Sequence, residues 1–401
     1  MGQDLTQNSY DVVIIGGAMI GASIAWFLTR DPAFDGRVLV VERDPSYEFA
    51  SSSHTNSCMR QQFSNPINIR ISQFAAEYVK NFRAFMGDDP RVPDVALRSF
   101  GYMYLADNPA FAAHLKEMQA IQQAHGAGTR YMTRDAIAAA YPFYQIDDII
   151  GANHNLVDEG YFEGSTLFDW WKRASAEQGA DYIADEVVAL RKSPEGRRIT
   201  AVRLKSGAEI ACGTVINASG PRAARTAAMA GITLPVEPRK RYTFIFDAET
   251  PLDRDLPLTI DPTGVHMRSD GRYYLAGCPP DLDPAVDFDD FTEDHRIWED
   301  KAWPAIAARV PQFEAIKLIN SWVGHYAFNT LDQNAILGPH TEIANFMFAN
   351  GFSGHGFQQS PAMGRGMAEL IIHGEFRSLD LSEFGFDRIA AARPFLEMAV
   401  I

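Results

Sequence analysis

The first 42 residues combine a strand, a glycine-rich turn, a helix and a second strand that ends in an acid. Asp11-Val-Val-Ile-Ile predicts a short buried strand, Gly16-Gly-Ala-Met-Ile-Gly21 a tight turn, and Ala22–Arg30 a helix. The free N–H groups at the start of such a helix favour a bound pyrophosphate. Glu42 ends the second strand, 26 residues after Gly16, which suits an acid that accepts hydrogen bonds from ribose hydroxyls. We predict a dinucleotide site. Ala18 replaces the middle glycine of the usual motif, and a glycine-rich turn in an ordinary strand–helix–strand unit is the alternative.

The composition excludes several classes of partner. With 46% hydrophobic and 22% charged residues, the 401-residue chain can bury a large core. A formal net charge of −15 argues against a nucleic-acid partner and against docking on an anionic membrane. Three widely spaced cysteines (Cys58, Cys212 and Cys278) favour a reducing compartment over a disulfide framework. We expect a cytoplasmic protein.

One uncharged segment, Val12–Thr29, approaches the length of a membrane-spanning helix with its 18 residues. Gly16, Gly17 and Gly21 interrupt it, so we interpret it as strand, turn and helix. The leader Met1–Asp11 contains acids and no Lys or Arg, which argues against a signal or transit peptide. We expect no membrane span.

The rest of the chain mixes helical and strand patterns. Aromatic-rich strands are predicted at 101–105, 241–246 and 272–276, and helices at 67–85, 110–125, 165–178 and 298–310. This mixture predicts an α/β plus α+β protein with two interleaved domains. The segment Asp281–Asp300 contains nine acids and one Arg, and we interpret it as a solvated loop and helix face.

Further loops with small residues point to a long cofactor. Ala50–Phe63 is polar and directly follows the second strand, although a solvated linker would have the same composition. The strand at 213–217 ends in Asn217-Ala-Ser-Gly220, and a strand at 343–349 leads into Asn350–Gln358, a second glycine-rich loop before a helix. A helix dipole there would stabilise negative charge on a reduced flavin. Two glycine loops at opposite ends of the chain suit a long dinucleotide better than a simple NAD enzyme.

These motifs resemble those of the D-amino-acid-oxidase, or glycine/sarcosine oxidase, superfamily of FAD-dependent oxidoreductases. The resemblance covers nearly the whole chain, and Gly351-Phe-Ser-Gly-His-Gly-Phe is its most specific part. Arg60-Gln-Gln-Phe-Ser, Pro238-Arg-Lys-Arg-Tyr, Asn329-Thr-Leu-Asp-Gln-Asn and Gly338-Pro-His resemble a narrower group. That group includes a mitochondrial FAD-dependent oxidoreductase associated with complex I assembly.

The resemblance implies a Rossmann-like FAD-binding domain with an interleaved antiparallel-sheet substrate domain. We expect the FAD-binding domain in segments 1–98, 151–235 and 326–401, and the substrate domain in segments 99–150 and 236–325.

Cofactor contacts are also implied by the resemblance. Gly16, Ala18, Ile20 and Gly21 would hold the pyrophosphate, and Glu42 the ribose. The flavin side would be contacted by Ser51, Ser52, Thr55, Asn56 and Ser57, and adenine by Val187. The cofactor channel and the ring would be lined by Ala218, Gly220, Gly354, His355, Gly356 and Phe357.

Two departures from the relatives bear on these contacts. Pro221-Arg222 stands where many relatives have Ala-Trp. Sarcosine oxidases attach flavin to a cysteine in the stretch that matches Trp322–Phe328, which contains no cysteine here. We therefore expect non-covalent FAD.

The predicted chemistry is oxidation of the C–N bond of a small amino acid or secondary amine, by hydride transfer to flavin N5. Arg60 is expected near the flavin or the substrate, and Arg241 near a substrate carboxylate, with a solvent-facing arginine at the strand end as the alternative for Arg241. Tyr326, His266 and Gln358 are candidates to orient the substrate, with core packing the alternative for Tyr326 and His266.

The electron acceptor could be a quinone, an electron carrier or oxygen. Fast oxidases of the sarcosine type place a lysine over the flavin on a strand that matches Gly271–Gly277, where the equivalent position here is Tyr274 or Leu275. The absence of that lysine predicts a dehydrogenase, although Arg60 could partly substitute for its charge.

Two alternative functions stay open, and the residues argue against two other kinds of site. A 2-hydroxy-acid dehydrogenase and an assembly factor that retains FAD without turnover are the alternatives. Ser353 lacks the glycine two residues later that a nucleophile elbow needs, because that position is His355. The ten histidines include no metal-binding spacing, so no metal is expected.

Overall fold

The computed structural model describes residues 7–398. The first six residues of the leader Met1–Asp11 lie outside this range. The strands are β1 Ser9–Ile15, β2 Val38–Glu42, β3 Cys58–Met59, β4 Leu97–Arg98, β5 Tyr102–Ala106, β6 Arg130–Thr133, β7 Gly151–Asn155, β8 Gly160–Phe162, β9 Asp181–Ala184, β10 Val187–Lys192, β11 Ile199–Leu204, β12 Glu209–Asn217, β13 Val236–Ala248, β14 Leu258–Ile260, β15 His266–Asp270, β16 Tyr273–Cys278, β17 Ile316–Asn329, β18 Ile336–Pro339 and β19 Phe346–Asn350. The helices are α1 Met19–Thr29, α2 Pro66–Lys80, α3 Phe82–Phe85, α4 Pro109–Ala124, α5 Arg134–Ala140, α6 Gly164–Glu177, α7 Ala223–Ala228, α8 Trp303–Arg309, α9 Gly356–His373 and α10 Phe386–Ala390.

The first sheet has five parallel strands in the order β19-β12-β1-β2-β9. Its central strands are buried on both faces, which explains why the second half of β1, residues 12–15, is an unbroken apolar run rather than an alternating one. Val12 and Ile14 face a core shared with α1, α2, α6 and α9, while Val13 and Ile15 face a second core. The hairpin β10–β11 pairs antiparallel with the first half of β12.

Close backbone approach at glycines holds this layer together. A methyl group at Gly21 would overlap the carbonyl oxygen of Gly16, so the turn after β1 and the first turn of α1 need glycine there. Gly364 of α9 lies directly against Ser23 of α1, whose hydroxyl donates to the carbonyl of Ser360 at 2.8 Å. The helices that follow the two glycine-rich loops therefore pack side by side.

The second sheet has eight strands in the order β17-β13-β16-β15-β14-β5-β7-β6. Its longest pairing joins β13 and β17. The pairing runs from Val236 opposite Asn329 to Ala248 opposite Ile316. One face carries Tyr242, Phe244 and Phe246, which pack on the residues around α8. The sheet is antiparallel as predicted except at one place, because β14 and β5 run parallel.

The expected division into five segments stays a proposal, and two strands do not follow it. β7 was expected in the segment 151–235, but it pairs with β5 and β6 in the second sheet. β17 crosses the expected boundary after 325, because its hydrogen bonding with β13 continues to Asn329. A short third sheet, β3-β8-β4, connects the two larger layers.

The uncharged segment Val12–Thr29 divides into β1, a turn and α1, as its glycines indicate. Within residues 7–398, no helix is both long and apolar enough to cross a membrane.

Candidate functional site

A long cleft lies between the carboxyl ends of the parallel strands and the face of the second sheet opposite its aromatic core. Every residue predicted to contact a cofactor or substrate lines this cleft except Gly21, which packs against Gly16. The cleft is lined by Gly16, Ala18, Ile20, Glu42, Ser51, Ser52, Thr55, Asn56, Ser57, Val187, Ala218, Gly220, Gly354, His355, Gly356, Phe357, Arg60, Arg241, His266, Tyr326 and Gln358. Their individual roles stay predictions.

One end of the cleft is formed by the turn after β1 and the start of α1. The helix begins at Met19, three residues earlier than predicted, which makes Ala18 its N-cap. The N-cap residue makes no side-chain hydrogen bond, the first turn contains no acid, and the N–H of Met19 donates to the hydroxyl of Ser52 at 3.3 Å. A helix N-terminus that lines a cleft and has no acid in its first turn fits a bound pyrophosphate.

Glu42 lies at the carboxyl end of β2, beside this turn. Its carboxylate accepts the backbone N–H groups of Gly17 and Asp44, both at 2.8 Å. Burial raises the pKa of Glu42, and these two backbone hydrogen bonds act in the opposite direction. The carboxylate is half-buried on the cleft wall, where ribose hydroxyls would find an acceptor.

The polar loop after β2 forms the middle of the cleft. The hydroxyl of Ser51 donates to the carbonyl of His325 at 2.6 Å, which ties the loop to β17. Ser57 has a φ of 50°, a strained value for a residue other than glycine. Asn56 lies 2.8 Å from the ring nitrogen Nε2 of His266 and accepts from the hydroxyl of Thr243 at 3.3 Å. The loop is therefore an ordered wall of the cleft rather than a solvated linker.

The other end of the cleft is formed by the second glycine loop and the start of α9. Gly354 has a φ of 97°, and a methyl group there would overlap the ring of Tyr326. α9 begins after His355 with no side-chain cap and no acid in its first turn. This helix N-terminus can stabilise negative charge on a planar ring, so the residues present fit a long dinucleotide with a ring at this end.

Arg60 is buried beside this second loop, 3% exposed. Its guanidinium lies 2.7 Å from Nε2 of His355, donates to the carbonyl of Gln62 at 2.8 Å and stacks on Phe63. The backbone N–H of Arg60 donates to the side chain of Gln358 at 2.8 Å. Arg60 and Gln358 thus line the cleft together, and Gln358 also fixes the position of Arg60.

Arg241 lines the cleft but is neither free nor directed to solvent. Its two terminal nitrogens donate to both oxygens of Asp283, at 2.8 and 3.0 Å, and its guanidinium stacks on Tyr326. Asp283 belongs to the acidic segment 281–300, which sequence interpretation assigned to solvent.

That interpretation fits several acids of the first half, since Asp281, Asp287 and Asp289 are exposed, but it misses Asp283 and two aromatic side chains. Phe288 and Phe291 line the cleft, and Phe291 stacks on His325 with ring centres 4.1 Å apart. Asp289 contacts Arg222, which stacks on Phe288, so the Pro221-Arg222 departure gives this segment an anchor at the end of the cleft near Arg43. This end is called the adenosine end below because the predicted ribose and adenine contacts lie there. Two phenylalanines spaced among the acids were the available signal.

His266 is buried and Tyr326 is half-buried on the cleft-facing side of the second sheet. Burial, followed by the charges of Arg268 and Arg241, lowers the pKa of His266 to about 4. Burial raises the pKa of Tyr326. Both side chains are therefore neutral at pH 7.

Comparison with known proteins agrees with this geometry. The family model described as DAO, FAD dependent oxidoreductase, matches residues 11–370. FAD-dependent oxidoreductase domain-containing protein 1 of Xenopus laevis is 35% identical over 431 aligned positions, which cover 99% of this chain and 86% of that protein. Glycine oxidase of Geobacillus kaustophilus (strain HTA426) is 25% identical, and the alignment covers 95% of this chain and 97% of that protein. The crystal structure of L-proline dehydrogenase from P. horikoshii has the same fold, with a TM-score of 0.84, 24% identity and coverage of 97% and 100%.

Replacement of Glu42 should weaken dinucleotide binding. Glu42→Ala removes a charged acceptor, and charge-assisted hydrogen bonds contribute roughly 1.5–3 kcal/mol each, so we expect FAD affinity to fall about tenfold or more. The measurement is titration of FAD into apoprotein made by acid release of the cofactor, with Glu48→Gln as control. Unchanged affinity would contradict the ribose assignment, and colour that stays with acid-precipitated protein would contradict non-covalent binding.

His266 should not titrate near neutral pH. Its pKa of about 4 predicts that its ring NMR signals stay constant from pH 8 to pH 5.5. The unfolded chain binds this proton below about pH 6.5 and the folded chain does not, so stability falls as the pH drops. Between pH 7 and pH 5 the wild type should lose up to about 2 kcal/mol more unfolding free energy than His266→Gln. A ring titration centred near pH 6.5 would show that the site is hydrated.

Proposed function

The chain belongs to the DAO family of FAD-dependent oxidoreductases, and we propose that it oxidises the carbon–nitrogen bond of a small amino acid or secondary amine as a dehydrogenase. The observation that carries this proposal is the pocket where the cleft meets the start of α9. Arg60, His266, Tyr326 and Gln358 converge there; Arg60, His266 and Gln358 are buried, and Tyr326 is half-buried. Bound FAD supplies the two-electron acceptor.

The charges of this pocket favour a neutral amine over an ammonium. Arg60 is cationic, His266 is neutral, and no acid is hydrogen-bonded to His266 in the described part of the chain. A positive charge near a buried amine lowers its pKa, because the ammonium form is repelled and poorly solvated. Deprotonation of the amine must precede oxidation of its C–N bond, so these residues would prepare the substrate.

The shape of the pocket suits a small substrate. Tyr102, Leu258 and Tyr326 add apolar walls to the same cleft, and Thr243 faces it beside Asn56. Polar groups that fix orientation within a largely apolar pocket are the usual composition of a small-molecule site. The glycine oxidase among the relatives is named for a small amino acid, which supports this size class.

The proposal is tested by anaerobic reduction of the bound flavin. We expect glycine, sarcosine, L-proline or another small amine to bleach the visible absorption, while lactate and glycolate leave it unchanged. Bleaching by hydroxy acids alone would favour C–O oxidation, and bleaching by neither class would favour an FAD-retaining assembly factor.

Two variants sharpen this test. Arg60→Met should slow reduction by at least tenfold, because the pocket loses its buried cation and the packing on Phe63. Arg130→Met, on an exposed residue of β6, is the matched control and should leave the rate unchanged. The absorption spectrum of bound FAD checks that each variant is folded. Equal rates for both variants would remove Arg60 from the site.

We predict slow reaction of the reduced enzyme with oxygen. A positive charge over the flavin favours the first electron transfer to oxygen, yet no lysine lines the cleft in the described part of the chain. Leu275 lies on the cleft-facing side of β16, Tyr274 faces the opposite core, and Arg241 is neutralised by Asp283. The measurement is flavin reoxidation after mixing the reduced enzyme with air-saturated buffer. A reoxidation rate equal to the rate of turnover with an artificial dye would identify the enzyme as an oxidase.

A further inference from the structure

The acidic segment Asp281–Asp294, called the acidic strap below, runs along the cleft from its ring end to its adenosine end. Asp283 pairs with Arg241 near the ring end. Asp290 pairs with Lys240 at 2.8 Å, and Phe291 stacks on His325 in the middle. Asp289 contacts Arg222 and lies 3.7 Å from Arg43 at the far end. The strap is therefore held by basic side chains of both layers.

The contact between Asp283 and Arg241 has the same geometry as the contact of an arginine with a bound carboxylate ligand. Both oxygens of Asp283 accept from the two terminal nitrogens of Arg241, which is the two-point geometry that arginine uses for a free carboxylate. Arg241 lines the cleft and stacks on Tyr326, while Asp283 lies behind Arg241 and does not line the cleft. A carboxylate entering the pocket would thus meet an arginine whose two terminal nitrogens already donate to Asp283, while its Nε makes no hydrogen bond.

A second arginine is placed to receive Asp283. Arg239 is two residues from Arg241 on β13, so the two side chains point to the same side of the sheet. A terminal nitrogen of Arg239 lies 3.5 Å from Oδ2 of Asp283, while the other donates to Glu237 at 3.2 Å. Asp283 can leave Arg241 and keep an ion pair, which lowers the cost of the exchange because no charge is left buried and unpaired.

We propose that Asp283 is an internal carboxylate that competes with the carboxylate of the substrate for Arg241, and that it moves onto Arg239 when an acid binds. This inference rests on the proposed function in that the substrate is taken to be an amino acid. Asp283 then sets specificity, since a ligand must carry a carboxylate strong enough to displace it. An amine without a carboxylate would leave the pair closed.

The exchange would loosen only one end of the strap. The contacts of Asp289 and Asp290 with Arg222 and Lys240 do not involve Arg241, so the strap stays attached over the adenosine end. Residues 281–287 hold the ring end through Asp283 and through the backbone hydrogen bond from Val286 to Pro238 at 3.0 Å. Ligand binding would therefore expose this short stretch while the cofactor stays covered.

The test uses the FAD-bound protein and simple carboxylates as probes. Acetate, propionate and benzoate are titrated against the visible spectrum of the flavin, with acetamide, propionamide and benzamide as neutral partners. Asp283→Asn should bind at least one carboxylate five- to tenfold more tightly than wild type, with no change for the amides. Arg241→Gln should lose carboxylate binding. Arg239→Gln should bind carboxylates about threefold more weakly, because the displaced Asp283 loses its second partner.

The control for general electrostatics is Asp281→Asn, which removes one negative charge of the same strap at an exposed residue paired with Lys301. Hydrogen exchange of residues 281–287 should increase when benzoate binds to wild type. The inference is overturned if Asp283→Asn binds carboxylates within twofold of wild type, if Asp281→Asn gives the same gain, or if no carboxylate perturbs any of these proteins. Carboxylate competition without flavin reduction by any amine would refute the proposed function and leave this inference standing. Flavin reduction by an amine without carboxylate competition would refute this inference and leave the proposed function standing.

Discussion

The pairing of β1, β12 and β19 is the constraint on which the site depends. These strands come from residues 9–15, 209–217 and 346–350, and they run parallel beside one another. Because parallel strands end at the same edge of a sheet, the loops that follow them meet there. The turn at Gly16, the segment Ala218–Gly220 and the loop at Gly354 line one cleft for this reason. The contact of Gly364 with Ser23 then fixes α9 against α1, so both helix N-termini face the cleft.

Charge within the cleft is controlled mainly by burial and by pairing. Arg60 is buried against His355 and Phe63, and Arg241 is neutralised by Asp283. Burial beside two arginines keeps His266 uncharged. The two helix N-termini add positive potential without a titratable group. Such a cleft binds an anionic dinucleotide and disfavours a second cation, which agrees with FAD as the family's cofactor and with an amine that reacts in its neutral form.

The acidic strap shows how a charged segment can be structural. Its acids contact arginines and lysines of the second sheet and of the first layer, while its two phenylalanines enter the cleft. The excess of acids along its first half therefore forms ion pairs as well as an exposed surface. It matches a set of basic residues at 43, 222, 239, 240 and 241 that the chain brings together from three distant places.

The sequence alone predicted a dinucleotide site and the segments that line the cleft, because these follow from local rules, while FAD itself was named by the family resemblance. Gly16, Gly21 and Glu42 lie within one strand–turn–helix–strand unit, whose geometry depends on neighbouring residues only, and the Gly351–Phe357 motif is equally local. The partner of Arg241, the extent of β17 and the membership of β7 were decided by the tertiary structure. Asp283 is 42 residues from Arg241, and β7 pairs with β5 across α4 and β6. No local pattern specifies such contacts, since they arise only when packing of the two sheets brings separated side chains into a common low-dielectric space.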